Sequence, residues 1–225
     1  QKMTENKIEP DRAAFNCVLD AFGKANDVQG ASRVLESMRV ANLKPNVISY
    51  TGVISGFCRK RDFVGALRTI KKMEDDGIQP DAVILNMLIS SYGRAGDATQ
   101  ARRMFNRILA LQREQENDSS FRGKKVRPTL ITYNSMIDAY ARVGDSVSAE
   151  EIFEFMTENS KITPNVVTFA CLANSYAQRK DLFGALQIVQ RSQQARVAPD
   201  LKFLNGVLGA FEANMAKQAL GWPTT

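Results

Sequence analysis

"VISYTGVISGFCRKRDFVGALRTIKKMEDDGIQPD", residues 47–81, opens on an aromatic-bearing apolar run and closes on Pro80-Asp81. The next residues, "AVILNMLISSYGRAGDATQARRMFNRI" at 82–108, begin the same passage again. Pro10, Pro45, Pro80, Pro128, Pro164 and Pro199 are separated by 35, 35, 48, 36 and 35 residues. Ala31, Ala66, Ala101, Ala149 and Ala185 follow in step, and so do Asp27, Asp62, Asp97, Asp145 and Asp181. Three residue types keeping one register define a repeat protein.

Each unit reads as two helices. In residues 130–164, Tyr133, Met136, Ile137 and Tyr140 fall on one helical face. Gly144 can take the left-handed conformation that closes the first helix. Asp145 then stands where a side-chain oxygen caps the second. A second apolar stripe runs through Ala149, Ile152, Phe153 and Met156, and Pro164 ends it. The recurring alanine is small because two helices must approach closely there. One such unit buries a single face, so it requires a stacked neighbour. The 48-residue interval holds one unit plus a surplus in "LQREQENDSSFRGKK", 111–125, with the core of the insertion near 112–125. That surplus is polar and lacks apolar periodicity, which predicts an extended second helix followed by a mobile loop.

Composition excludes much chemistry. Of 225 residues, 44% are hydrophobic and 24% charged, as in a folded soluble protein. No apolar run approaches the roughly eighteen residues of a membrane span. "QKMTENKIEPD" has no apolar core and carries acids, so no signal or transit peptide is read there. There is no histidine, which removes His-based triads, His-ligated metals and an imidazole general base. Cys17, Cys58 and Cys171 are too far apart for a Cys-x-x-Cys metal site and too few for a disulfide framework. They are expected to be small buried thiols in a reducing compartment. The acids Glu150, Glu151 and Glu154, like Glu74, Asp75 and Asp76, read as solvated helix faces, and no Gly-rich phosphate loop is present. No enzyme activity, cofactor, metal or small-molecule substrate is expected.

A two-helix unit near this length suggests the tetratricopeptide family, but that family's Trp and Leu-Gly signature is missing and the period here is 35. Units opening "AFNCVL" (14–19), "SYTGVI" (49–54), "LNMLI" (85–89) and "TYNSMI" (132–137) close on "KPN", "QPD", "TPN" and "APD". This pattern resembles the pentatricopeptide repeat family, with P-class-like repeats of the plant organellar type. The resemblance covers five repeats: 12–46, 47–81, 82–129, 130–165 and 166–200. Residues 1–11 would end a preceding repeat or form an N-terminal cap, and 201–225 would be a partial sixth repeat or a C-terminal cap.

The resemblance implies an all-α, right-handed α-solenoid of stacked helix-turn-helix repeats that binds single-stranded RNA, one base per repeat. In that family the fifth and last residues of a repeat read the base edge. Here they are Asn16 with Asn46, Thr51 with Asp81, Asn86 with Thr129, Asn134 with Asn165, and Ala170 with Asp200. Asn with Asn implies a pyrimidine, Thr with Asp guanine, and Asn with Thr a pyrimidine. Ala170 departs from the pattern, since a methyl group makes no hydrogen bond, so that repeat is expected to be weak or unselective. The second residues, on which bases stack in the family, are Ala13, Ile48, Val83, Ile131 and Val167, with Lys202 in the sixth unit. The thirteenth residues Lys24, Arg59, Arg94 and Arg142 can meet phosphate, and Gln178 departs.

Charge supports the same partner without the resemblance. The first-helix segments carry Arg12, Lys24, Arg59, Lys60, Arg61, Arg94, Arg142, Arg179 and Lys180 against Asp20 and Asp138. The chain as a whole is +6, so the rest is close to neutral and the positive field belongs to one layer. Complementing helix C-termini explains some of these cations, yet "CRKRD" has more charge than that needs. The expected role is RNA processing, stabilisation, splicing or translation in a chloroplast or mitochondrion, with other organellar proteins as further partners and no membrane. The alternative is a protein-binding solenoid subunit of an organellar ribosome or RNA polymerase assembly, in which exposed side chains dock another protein.

Overall fold

The computed structural model of the chain describes residues 10–120, 125–160 and 162–219, with backbone alone at 202, 210 and 213–219. The leading segment up to residue 9, residues 121–124 of the insertion, the closing residues 220–225 and the Lys202 side chain lie outside the described residues. Among those described the chain is all-helical. The helices are α1 (Arg12–Lys24), α2 (Val28–Val40), α3 (Val47–Arg59), α4 (Phe63–Asp75), α5 (Ala82–Arg94), α6 (Ala98–Asn117), α7 (Leu130–Arg142), α8 (Ser146–Glu154), α9 (Val166–Gln178), α10 (Leu182–Gln194) and α11 (Leu201–Ala219). Helix α8 continues into a π-helical turn over Phe155–Asn159.

The chain divides into two compact units at Ser91/Tyr92, inside α5. In the first unit, α1 pairs with α2 and α3 with α4, and the first helix of one hairpin packs on that of the next, α1 on α3. The backbones meet so closely that a Cβ on Gly23 would stand 2.5 Å from the Gly52 carbonyl oxygen. Leu19, Tyr50, Ile54 and Met73 fill the interior with no exposure. In the second unit, α7 packs on α9 and α9 on α11 in the same manner. Its interior holds Tyr133, Met136, Ile137 and Leu172 at 0% exposure, and the Phe105 and Tyr133 rings meet edge-on at 5.5 Å. Each side chain of this size contributes about 1.5–3 kcal/mol on burial. That gain accrues only when the next hairpin covers the face.

The recurring residues of the sequence have identifiable work. Ala31, Ala66, Ala101, Ala149 and Ala185 are all wholly buried. Asp27, Asp62, Asp97, Asp145 and Asp181 each accept a backbone N–H three residues on, at 2.8–3.0 Å, and so cap the second helices. Such a cap is worth about 1 kcal/mol. The turns between the two helices of a hairpin pass through positive φ at Asn26, Arg61, Gly96, Gly144 and Lys180. Glycine takes this conformation without cost, whereas Arg61 and Lys180 hold it against steric preference.

Two length irregularities are absorbed away from the first helices. The interval of 36 residues between Pro128 and Pro164 has one residue more than the regular interval of 35, and the π-turn at 155–159 takes it up within the second helix. The long interval lengthens α6 to 20 residues, against 13 for the other second helices α2, α4 and α10. The polar surplus is anchored as well: Gln115 is buried and its Oε1 accepts the Val126 N–H at 2.6 Å. One expectation is corrected. Cys58 is buried and Cys171 partly so, but Cys17 is exposed. Cys17 and Cys171 share the sixth repeat position, where Gly52 of α3 backs onto Leu19 and Asp20 of α1. Among the described residues no helix precedes α1 to cover Cys17.

Candidate nucleic-acid interface

The last residue of each repeat stands directly before a first helix, and its local chemistry follows from that place. Oδ1 of Asn46, Asp81, Asn165 and Asp200 accepts the backbone N–H of Ser49, Ile84, Thr168 and Phe203 at 3.0, 3.0, 3.0 and 2.7 Å. The Thr129 N–H donates to Thr132 Oγ1 at 3.0 Å, as those of Asn46 and Asn165 do to Ser49 and Thr168 at 3.1 Å. These five residues are therefore helix caps. Capping uses one oxygen and leaves an amide nitrogen or a second carboxylate oxygen for other work.

Two of the predicted reading pairs are brought together by hydrogen bonds. The Ser49 hydroxyl lies 2.7 Å from Asn16 Oδ1 and 3.1 Å from Asn46 Oδ1. Thr168 Oγ1 lies 2.7 Å from Asn134 Oδ1 and 3.0 Å from Asn165 Oδ1, and Asn134 Nδ2 donates to Asn165 Oδ1 at 3.3 Å. Thr51 and Asp81 are not so joined. The Thr51 hydroxyl donates to the Val47 carbonyl one turn back, at 2.8 Å, and Ile84 stands where a bridging hydroxyl would be. Asn86 belongs to the first unit and Thr129 to the second; Asn86 Oδ1 is buried without a hydrogen-bond partner. Ala170 and Asp200 line one cleft of about 470 Å³ together with Val167, Arg142, Asp138 and Asn174. Where the amide is lost, the structure leaves space.

The second residues present apolar surface to solvent. Ile48, Val83, Ile131 and Val167 are 64%, 59%, 68% and 49% exposed, and Ala13 is exposed too. Isolated exposed aliphatics are ordinary, but four at one repeat position on successive first helices form a patterned surface.

The cations are less free than composition suggests. Lys24 pairs with Asp20 at 2.6 Å and Arg142 with Asp138 at 2.7 Å, each one helical turn apart. Arg59 donates to the Gly23 carbonyl at 3.0 Å and to Ser55 Oγ at 3.1 Å. Arg94 is exposed at the end of α5. Both acids were visible in the sequence at i,i+4 spacing, the signal that could have found these pairs. Among the described residues, no group of three or more His, Cys, Asp or Glu is placed to hold a metal ion. Burial pushes the Cys171 thiol up to about 12, so it is an inert wall rather than a nucleophile.

Sequence models of one family match between residues 10 and 214. One described as PPR repeat family covers 10–59, and PPR repeat models cover 48–78 and 76–108. A model described as pentatricopeptide repeat domain covers 120–179 and again 160–214. The chain belongs to the pentatricopeptide repeat family. Among solved structures, the pentatricopeptide repeat protein PPR10 from maize is 25% identical over 92% of this chain, with a TM-score of 0.67. The chain spans 28% of that structure's length. PPR10 in complex with an 18-nt psaJ RNA element is 21% identical over 98% of this chain and 36% of its own, with a TM-score of 0.56. The PPR domain of Arabidopsis thaliana protein-only RNase P 1 in complex with tRNA is 18% identical over 86% of this chain and 95% of its own, with a TM-score of 0.61. No curated protein matches the sequence. The helical hairpins described above are thus pentatricopeptide repeats.

Proposed function

We propose that these pentatricopeptide repeats bind single-stranded RNA on the first helices and act as a reader rather than an enzyme. One observation carries the reading. Exposed aliphatics recur at the second position, one turn from polar fifth residues, and at two repeats those polar residues are hydrogen-bonded into pairs. A base can stack on Ile48 or Val167 and meet the neighbouring amides with its edge, as in other one-base-per-repeat readers. Arg59, Arg94, Lys24 and Arg142 follow at each helix end, where the phosphate chain would pass. Relatives that carry a psaJ RNA element or tRNA support the same class of partner. The reading runs pyrimidine, guanine, pyrimidine, pyrimidine and an unselected base from the amino end. The repeat divisions at 12–46, 47–81, 82–129, 130–165 and 166–200 belong to this proposal, as does a role in organellar RNA processing, stabilisation, splicing or translation.

A second reading, docking of a protein partner, draws on the other layer. Phe183 is 72% and Leu186 53% exposed on α10, as are Val64 at 69% and Leu67 at 37% on α4. Titration of labelled CUGCUC-type RNA at two salt concentrations, against a strand with its G replaced by A, separates the two. Salt-sensitive binding that weakens on loss of the G is expected. No binding even at low salt would remove the RNA reading and favour the protein partner.

A further inference from the structure

Ser49 and Thr168 occupy the third place of α3 and α9, and neither has any exposed surface. They sit in different units of the molecule, yet make one constellation. Each hydroxyl oxygen accepts the N–H of the capping asparagine, Asn46 or Asn165, at 3.1 Å. Its single hydrogen then has two oxygens in reach, and the nearer belongs to the fifth residue of the repeat that the asparagine closes, Asn16 or Asn134, at 2.7 Å. The capping asparagine meanwhile gives its Oδ1 to the Ser49 or Thr168 N–H.

An amide offers a donor on one side and an acceptor on the other, and free rotation would let it serve either kind of base edge. Here the hydrogen-bond network orients both asparagines of a pair by engaging each Oδ1 inside, so that N–H groups are what they chiefly offer a ligand, one of Asn134's being already given to Asn165 Oδ1. The repeats closed by Asp81 and Asp200 have Ile84 and Phe203 in the third place and no such bridge. Both amide pairs have a buried hydroxyl in the third place; Thr132 is a third such hydroxyl, but it bonds Thr129 where the others bond an asparagine.

We propose that Ser49 and Thr168 are positioning residues for base selection: they hold Asn16/Asn46 and Asn134/Asn165 as donor-presenting pairs. This rests on the RNA reading above. Two adjacent donors match cytosine, whose O2 and N3 are neighbouring acceptors, better than uracil, whose N3–H would face a donor. The test is a C-to-U replacement made separately at the first and fourth bases, with wild-type protein, Ser49→Ala and Ser49→Thr. Wild type should prefer C at both places by about fivefold, the worth of one hydrogen bond. Ser49→Ala should lose the preference at the first base alone and keep it at the fourth, and Ser49→Thr should restore it. A lost cap bond lowers thermal stability but cannot erase discrimination at one base selectively. Ser49→Ala retaining its C preference at the first base would overturn the proposal and leave RNA binding standing. Wild-type protein binding neither strand would overturn both.

Discussion

Tyr50 donates its phenolic hydrogen to Asp76 at 2.6 Å, across 26 residues of chain. Arg39 completes the set, with Nη2 donating to Tyr50 Oη at 2.8 Å and to Asp76 Oδ2 at 2.7 Å. Helices α2 and α3 and the C-cap of α4 are tied at one point. Burial, and then the bond to Asp76, pushes the Tyr50 hydroxyl up to about 12. The Tyr50 bond is also the main reason the Asp76 carboxyl lies below its ordinary value of 3.8. The two shifts act at opposite ends of the pH scale. Tyr50 contributes fully below its unfolded value of 10.0, and that stability is lost as pH rises from there through about 12. Asp76 contributes above 3.8, and its share is lost as pH falls through its depressed folded value. Asp76→Asn should therefore cost about 1 kcal/mol near neutrality, modest because a third of the side chain meets solvent. Urea melts should show that deficit shrinking in strong acid.

Arg102 is a misfit that substitution should improve. In the following repeat, Glu150 accepts from Tyr176 Oη at 3.0 Å and from Arg191 at 2.8 Å. Arg102 is the fifth residue of α6, as Glu150 is of α8, and Phe155 takes the place that Arg191 has in α10. The carboxylate of the set is absent, and Arg102 Nη1 is buried with no hydrogen-bond partner. Arg102→Met gives up the guanidinium's long contact over the Phe105 ring, 5.8 Å from its centroid, but removes the orphan donor. It should raise stability by about 1 kcal/mol in a thermal or urea melt. Glu150→Gln should lower it by a similar amount.

On the proposed RNA reading, Asp138 competes with the phosphate chain for Arg142. Their contact at 2.7 Å is an exposed i,i+4 pair, worth about 0.3–0.5 kcal/mol to the helix. Asp138→Asn releases the guanidinium and removes a negative charge from the proposed phosphate path. RNA affinity should rise about two- to threefold at low salt, and the slope of log affinity against log salt should steepen. An unchanged slope would mean that Arg142 does not meet phosphate.

The cysteines should separate cleanly under an alkylating reagent. Cys17 is exposed, whereas burial holds the Cys171 thiol up to about 12 and Cys58 is 4% exposed. Mass spectrometry of the folded chain should find the label on Cys17 first, with Cys58 and Cys171 labelled only under denaturant.

The repeating fold was readable because its causes are local and recur. The apolar spacing of Tyr133, Met136 and Ile137, the caps at Asp145 and its equivalents, and the small Ala149 each have one physical reason, stated five times over. What the sequence concealed depends on a single neighbour. Ser49 looks like any serine until Asn16 comes within 2.7 Å of it. Gln115 reads as solvated polar chain, yet its oxygen is taken by Val126. Cys17 resembles Cys171 by position, and only the absence of a covering helix among the described residues sets it apart. The pairing of Lys24 and Arg142 with acids was written in the i,i+4 spacing and lost in a count of charge by layer.

The π-turn at 155–159 shows what the chain counts. An extra residue in an ordinary helix rotates everything beyond it by about 100° and would turn Asn165 and Ala170 out of place. Taken up as one wide turn in the second helix, it leaves no trace at the start of α9. Hairpins are therefore the unit of tally, and residues are not. On the proposed reading, insertions and deletions confined to the outgoing half of a repeat are silent to the ordering of letters along the ligand, much as slack in a rope ladder's side does not alter the number of its rungs.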